Sequence, residues 1–214
     1  MKVLTEITSP YSAMESWTYD RFIAPAVAEL IDAVSIEVPE GARVLDVGCG
    51  GGQVLAALQE RRPDLVLSGV DLSPEQVGRA AKRTGLPVVQ GSALDLPFDA
   101  GAFDGALSVA SIKHWPDPTQ GLAEMGRVVR SGGRVLVVEA DRGCRLPDAK
   151  AFVDRWRLPA PARVVALAAF RTWVAGQSLS ADELRAHAEA AGLEQVSVRT
   201  LPGLPAITLE AVAT

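Results

Sequence analysis

Residues 44–53 read Val-Leu-Asp-Val-Gly-Cys-Gly-Gly-Gly-Gln, and residues 68–72 read Ser-Gly-Val-Asp-Leu. In each, a short apolar run carries an acid near its end, and the first run continues into glycines. Glycines permit sharp turns and let a ligand approach with no Cβ in the way. A helix that starts behind them offers unsatisfied N–H groups. Such loops serve several nucleotide-like ligands, but two details narrow the choice. Gly48 and Gly50 fit a G-x-G-x-x-G spacing, yet Gln53 stands where the third glycine would be. Asp46 lies two residues before the loop, where its carboxylate would repel a pyrophosphate and hold a cationic amino-acid group. Asp71, at the tip of the next strand, can accept both hydroxyls of a ribose. The competing reading is that both acids only cap the turns after them.

Two carboxylates can act together only if a sheet holds them side by side. Short apolar runs alternate with helical patterns along the chain, the signature of a mainly parallel sheet. Strands are expected at 43–47, 65–70, 87–90, 103–109, 134–139, 194–200 and 206–212. The turn at 201–205 implies a hairpin, which makes the last strand antiparallel. Residues 20–36 carry a helical stripe of Phe22, Ile23, Val27, Leu30, Ile31 and Val34. Helix 53–61 follows the glycine loop. Ser73 and Pro74 open another helix, with Gln76 placed to complete a capping box. Asp117-Pro118 opens a third, which Ser131-Gly132-Gly133 is expected to stop. Ser180 and Glu183 form a second capping box, on a helix ending at Gly192. Segment 142–178 breaks the rhythm with prolines, arginines and two tryptophans, and reads as an inserted helical cap. The expectation is one domain over 1–214: a doubly wound, mostly parallel seven-stranded Rossmann-like sheet with helices on both faces. Segment 1–38 would lie over the site.

The 214 residues suit one such domain, and 48% of them are apolar, enough for a large core. The net charge is −5, with no basic run longer than two residues, which disfavours a nucleic-acid partner. Cys49 and Cys144 suggest neither a disulfide framework nor a metal site. No 18-residue apolar run and no signal-peptide core occur, so a cytoplasmic protein without a membrane partner is expected.

Between residues 40 and 140 the chain resembles the class I S-adenosylmethionine-dependent methyltransferases, in their small-molecule branch. VLDVGCGGG looks like the family's cofactor loop and GVDLS like its ribose-binding strand end. GSALDLPF looks like its adenine-site turn, FDGALSVASIKHWPD like its fourth strand and following loop, and EMGRVVRSGGRVLVVE like its closing helix and fifth strand. The resemblance implies that Asp46, Gly48 and Gly50 hold the methionine end of S-adenosylmethionine, with Cys49 contributing backbone. It gives the ribose to Asp71 and places Leu72 on the adenine. Ala93 would offer its backbone to the adenine edge. Ser92 stands where the family often has an aspartate bonding the adenine amino group. Ser108 and Val109 would pass the methionine. Tyr19 and Tyr11, with Trp17, lie in a segment where the family often folds a tyrosine over the cofactor.

The implied activity is methyl transfer to a small-molecule oxygen, nitrogen or carbon by in-line displacement, chemistry that the cofactor supplies. His114 is the candidate general base, because its ordinary pKa near ~6.5 suits proton removal. Many relatives have two adjacent histidines where this chain has Lys113-His114. His187 reads as a helix-face residue. Trp156 and Trp173 could line a substrate site or pack the cap, and Glu139 could touch substrate or cap its loop. Competing functions are a nicotinamide-dependent oxidoreductase, a non-catalytic cofactor-fold module, and a methyltransferase acting on nucleic acid or protein.

Overall fold

The computed structural model describes residues 35–156 and 158–214. Residues 20–34 of the stripe expected at 20–36, and Tyr11, Trp17 and Tyr19, lie outside the described residues; 35 and 36 are not helical, and Ile36 is buried. Strand β1 (Arg43–Val47) is buried at every position after the first. It has neighbours on both edges and cores on both faces, the environment of a central parallel strand. Helix α1 (Gln53–Arg61) follows the glycines and faces the sheet with Leu55 and Leu58. Then come β2 (Val66–Asp71) and α2 (Pro74–Thr84). Next are β3 (Val88–Gln90), β4 (Phe103–Val109) and α3 (Pro118–Val128). Strand β5 (Val129–Ala140) leads to α4 (Leu146–Asp154) and α5 (Ala160–Ala169). A π-helical turn, Phe170–Val174, extends α5. Helix α6 (Ala181–Ala190), β6 (Glu194–Thr200) and β7 (Ala206–Val212) complete the chain.

The sheet has seven strands in the order β3-β2-β1-β4-β5-β7-β6. Strands β1 to β5 pair in parallel, and β7 runs antiparallel to both β5 and β6. The doubly wound sheet with an antiparallel last strand is thus as the sequence implied. Alternation on β1 divides the core. Leu45 and Val47 join Phe103, Leu122, Met125, Leu184 and Ile207 on one face. Val44 joins Leu55, Leu58, Leu107 and Val138 on the other. A third cluster, Ala149, Phe152, Val153, Trp156 and Phe170, holds the helices after β5 together.

Three local expectations need correction. Ser131-Gly132-Gly133 does not end α3; the helix stops at Val128 and β5 starts at once. The glycines form an irregularity in β5, with Gly132 at φ +77° and a register shift against β4 between Phe103 and Gly105. A Cβ on Gly133 would lie 2.6 Å from the Asp104 carbonyl oxygen, so the bulge needs glycine there. The Ser73 cap is half a capping box. Gln76 N–H donates to Ser73 Oγ, but the Ser73 N–H donates to Asp71 Oδ1 instead of the Gln76 side chain. The second strand also starts one residue later than expected and takes in Asp71. At Ser180 both halves of the box with Glu183 are present.

Candidate active site

The order of the sheet reverses direction between β1 and β4, and open α/β sheets bind ligands beyond the strand ends at such a point. Asp46 lies there, 1% exposed, paired in register with Gly69 of β2 and Leu107 of β4. Neither of its carboxylate oxygens has a hydrogen-bond partner among the described residues. Burial first, and the Asp71 charge second, push its pKa up to about 8. A buried carboxylate in this state is costly to ionise until a cation reaches it.

The glycine loop is fixed by its own backbone. The Gly48 and Cys49 N–H groups both donate to the Val70 carbonyl, at 2.8 and 3.1 Å. The Cys49 carbonyl accepts from Gly52. Cys49 therefore spends its backbone inside the loop, and burial, Asp46 and Asp71 together raise its thiol pKa. Gly50 N–H donates to Asp71 Oδ2 at 2.8 Å. The space over Gly50 is open, since a Cβ there would meet nothing within 4 Å. Gly48 is required for a different reason. A Cβ on it would lie 1.9 Å from Ser111 Oγ, so the loop after β4 leans directly on the glycine loop.

Asp71 does cap the turn after it, through Ser73, and it also anchors Gly50 in the loop after β1; each oxygen keeps a further lone pair for a ligand. Its backbone carbonyl accepts from Gly91, which brings the turn at 91–98 beside it. In that turn Ser92 Oγ accepts from Leu94 N–H, and Ala93 packs against the main core. Leu72 is 45% exposed beside Asp71, an apolar surface left open at the strand tip. Helix α3 fastens the turn. Gln120 donates to the Leu94 carbonyl, Leu96 N–H donates to Glu124, and Arg127 donates to the Leu96 and Phe98 carbonyls. Arg127 also pairs with Glu124 at 2.7 Å and holds that carboxyl below its ordinary pKa.

Ser108 and Val109 end β4, both buried, with Ser108 Oγ unpartnered among the described residues. The next residue, Ala110, has φ +55°, strained for a side chain and a backbone state that collects at functional sites. Lys113 stabilises it. Its Nζ donates to the Ala110 carbonyl at 3.2 Å and to Glu139 Oε1 at 2.9 Å. Glu139 is fully buried and also accepts from the Ala140 and Lys113 N–H groups. So Glu139 clamps the loop. His114 ends the short 3-10 helix Ile112–His114 on that loop, and its ring keeps an exposed edge. Partial burial and then the Lys113 charge lower its pKa, while Glu139 opposes them. Trp115 Nε1 donates to Ser111 Oγ, which locks the helix onto the loop.

The structure thus brings Asp46, Gly48, Gly50, Asp71, Ser92, Ala93, Ser108, Val109 and His114 to the carboxyl edge of β1 to β4. Sequence reasoning missed Ala110, Ser111 and the tie of Lys113 to Glu139. A positive φ at alanine leaves no mark in sequence, and the ion pair joins residues 26 positions apart. His187 is more than a helix-face residue, because its Nδ1 lies 2.7 Å from Thr119 Oγ1 and ties α6 to α3. Trp156 packs in the cap core between Phe152 and Phe170, whereas Trp173 is 66% exposed.

A family model described as a methyltransferase domain matches residues 45–137. A demethylmenaquinone methyltransferase of Deinococcus radiodurans is 37% identical over 102 residues, 45% of this chain and 42% of that protein. A chloroplastic 2-methyl-6-phytyl-1,4-hydroquinone methyltransferase of Oryza sativa is 38% identical over 99 residues, 45% of this chain and 28% of its own length. The chain therefore matches less than half the length of these relatives. Among solved structures, a SAM-dependent methyltransferase of Thermotoga maritima superposes with a TM-score of 0.65 at 22% identity, covering 94% of each chain, a likeness of fold.

Proposed function

We propose that this chain, which belongs to the class I S-adenosylmethionine-dependent methyltransferases, transfers a methyl group from that cofactor to an oxygen, nitrogen or carbon of a small molecule. The observation that carries the reading is Asp46: a carboxylate buried to 1% exposure, with no partner for either oxygen among the described residues. Ionising a carboxyl so placed is costly until a ligand cation reaches it. A nicotinamide dinucleotide would bring a diphosphate to the same loop and raise that cost.

The other residues fit the same ligand. Asp46 would hold the ammonium of the amino-acid end, with Gly48 and Gly50 keeping side chains out of its way. Asp71 would hold the ribose hydroxyls with the lone pairs that Gly50 and Ser73 leave unused. The turn at 91–98, fastened by α3, would receive the adenine, with Ala93 giving backbone and Leu72 an apolar face. Ser92 offers less than the aspartate common in the family, since its hydroxyl already accepts from Leu94. Ser108 and Val109 would border the methionine. Tyr11 and Tyr19 remain candidates for covering it.

When bound, the cofactor supplies an activated methyl group and a neutral leaving thioether. The chain's own contribution is to orient the acceptor and exclude water, which can supply about 7–11 kcal/mol of barrier lowering. The lowered pKa keeps the His114 imidazole neutral at pH 7, the state a proton acceptor needs, though its position suits acceptor orientation as well. Small-molecule acceptors are favoured by the relatives' names, two of which carry quinone or hydroquinone rings. The test is calorimetry of the purified chain with S-adenosylhomocysteine and with NAD. Binding of the first alone is expected; binding of NAD alone would overturn the reading.

A further inference from the structure

The helices between β5 and α6 differ from the rest of the molecule in charge and in surface. Residues 142–178 hold seven basic and two acidic side chains, in a chain whose net charge is −5. From 155 to 178 there are four arginines and no acid. Asp154 pairs with Lys150 at 2.5 Å and with Arg163 at 3.9 Å, and Arg142 pairs with Glu183 of α6. Helix α5 and its π-helical extension turn Ala166, Leu167 and Val174 inward onto Phe152, Trp156 and Phe170. No residue of α5 is buried. Its outer side carries Val164 at 72% exposure, Val165 at 70% and Trp173 at 66%, with Ala168 and Thr172 exposed between them. Scattered apolar residues on a surface need no explanation, but a contiguous stripe at helical spacing does.

We propose that this outer side of α5 docks on an anionic lipid bilayer. An apolar helix side with a tryptophan, flanked in sequence by Arg163 and Arg171, is the chemistry of interfacial binding: apolar groups enter the headgroup boundary and arginines meet the lipid phosphates. The aliphatic centre offers no hydrogen bonds to base edges or sugar, which sets nucleic acid aside. A second copy of the chain would bring two net-positive caps face to face, which opposes self-association through this side. The rest of the chain is strongly acidic, so the same surface charge would repel the other faces and orient the docked molecule. No helix among the described residues is long and apolar enough to cross a membrane, so the contact is peripheral. None of the exposed residues on this side is one assigned to the cofactor, and the proposal does not depend on methyl transfer.

The test is co-sedimentation of the full chain with vesicles of phosphatidylcholine alone and of phosphatidylcholine mixed equally with phosphatidylglycerol. Partitioning at least about tenfold stronger onto the anionic vesicles is expected, weakening as salt rises. The double variant Val165→Asp, Trp173→Ser should lose at least about tenfold of it while keeping the parent's melting temperature, since both side chains are exposed. No binding by the parent, or equal binding by the variant, overturns the proposal. So does a parent that dimerises in light scattering and turns monomeric on Val165→Asp, because a second copy would then cover the face. Calorimetry with S-adenosylhomocysteine on the same preparations reports on the cofactor site separately.

Discussion

The carboxyl edge of β1, β2 and β4 and the cap at 142–178 are held by different forces. At the edge, hydrogen bonds tie the backbone at named points: Gly48 and Cys49 to Val70, Gly50 and Ser73 to Asp71, Leu96 and Phe98 to Glu124 and Arg127. The cap is held by the rings of Phe152, Trp156 and Phe170 and leaves a helix side uncovered. Hydrogen bonds fix positions to tenths of an ångström and tolerate few residue types, whereas apolar contact tolerates exchange of shape at similar volume. A fold that must bind one cofactor and different acceptors would divide its forces in this way. The contrast predicts that single polar changes at the edge cost much and that changes on the outer cap cost little.

The largest effect is expected at the Lys113–Glu139 pair. Glu139→Gln leaves a nearly buried ammonium without its counter-charge, which costs about 3–5 kcal/mol in comparable buried pairs. Denaturant unfolding should show this loss, and Lys113→Met added to it should restore part. If Glu139→Gln unfolds like the parent, the clamp on Ala110 contributes nothing and the contrast weakens at its strongest point.

Asp46 should behave in the opposite way, trading stability for binding. Its carboxyl pKa is raised from 3.8 to about 8 in the folded chain. Between those values the folded state keeps a proton that the unfolded chain has released, so stability falls as pH rises through that window. Asparagine does not titrate. The stability advantage of Asp46→Asn over the parent should therefore grow from about pH 4 to about pH 8 and level off above, reaching at least ~5 °C in melting temperature. The same variant should lose roughly 10–100-fold in S-adenosylhomocysteine affinity, the range for a hydrogen bond to a charged group. A pH-independent melting difference would mean that Asp46 is ionised and partnered in the free protein. Asp71→Ala should lose about 1–3 kcal/mol of the same affinity, because it removes ribose contacts and the Gly50 anchor together.

The sequence foretold these two regions unequally, for reasons that follow from the same contrast. Strands β1, β4 and β7 fall on the expected residues as buried apolar runs; β6, which has no buried residue, and helix α1 also fall on them, through alternation before the 201–205 turn and through the glycines before Gln53. The order of motifs placed Asp46 and Asp71 on adjacent strand ends. What was illegible is nonlocal or conformational. Val129–Gly133 joins β5 through a bulge, although its glycines look like a helix stop. The φ of +55° at Ala110 is imposed by Lys113 and Glu139, not by the alanine itself. In α5 the run Arg-Val-Val-Ala-Leu-Ala-Ala is apolar on every side, so periodicity could not tell Leu167, which packs inward, from Val164 and Val165, which do not.

The smallest effect is expected at His114, which the proposed function sets beside the acceptor. Lys113 takes the Glu139 hydrogen bond for itself, so no carboxylate among the described residues bonds the imidazole, and Glu139 acts on the ring through its charge alone. Among the described residues its ring makes no hydrogen bond to another side chain. That arrangement suits holding an acceptor more than taking a proton from it. His114→Asn should therefore cut turnover by less than about tenfold, mainly through KM, with S-adenosylhomocysteine affinity intact. A general base would behave differently, losing roughly 10²-fold or more in kcat. Burial and Lys113 lower the His114 pKa, so the parent's acid limb would then fall below the ordinary imidazole value of about 6.5, with the rate dropping as the ring gains its proton. The variant would lack that limb. Rate against pH for parent and variant, with one acceptor, separates the two roles. A variant that loses cofactor affinity along with rate would instead move His114 into the rigid edge, and the boundary between the two regions would have to be redrawn on its far side.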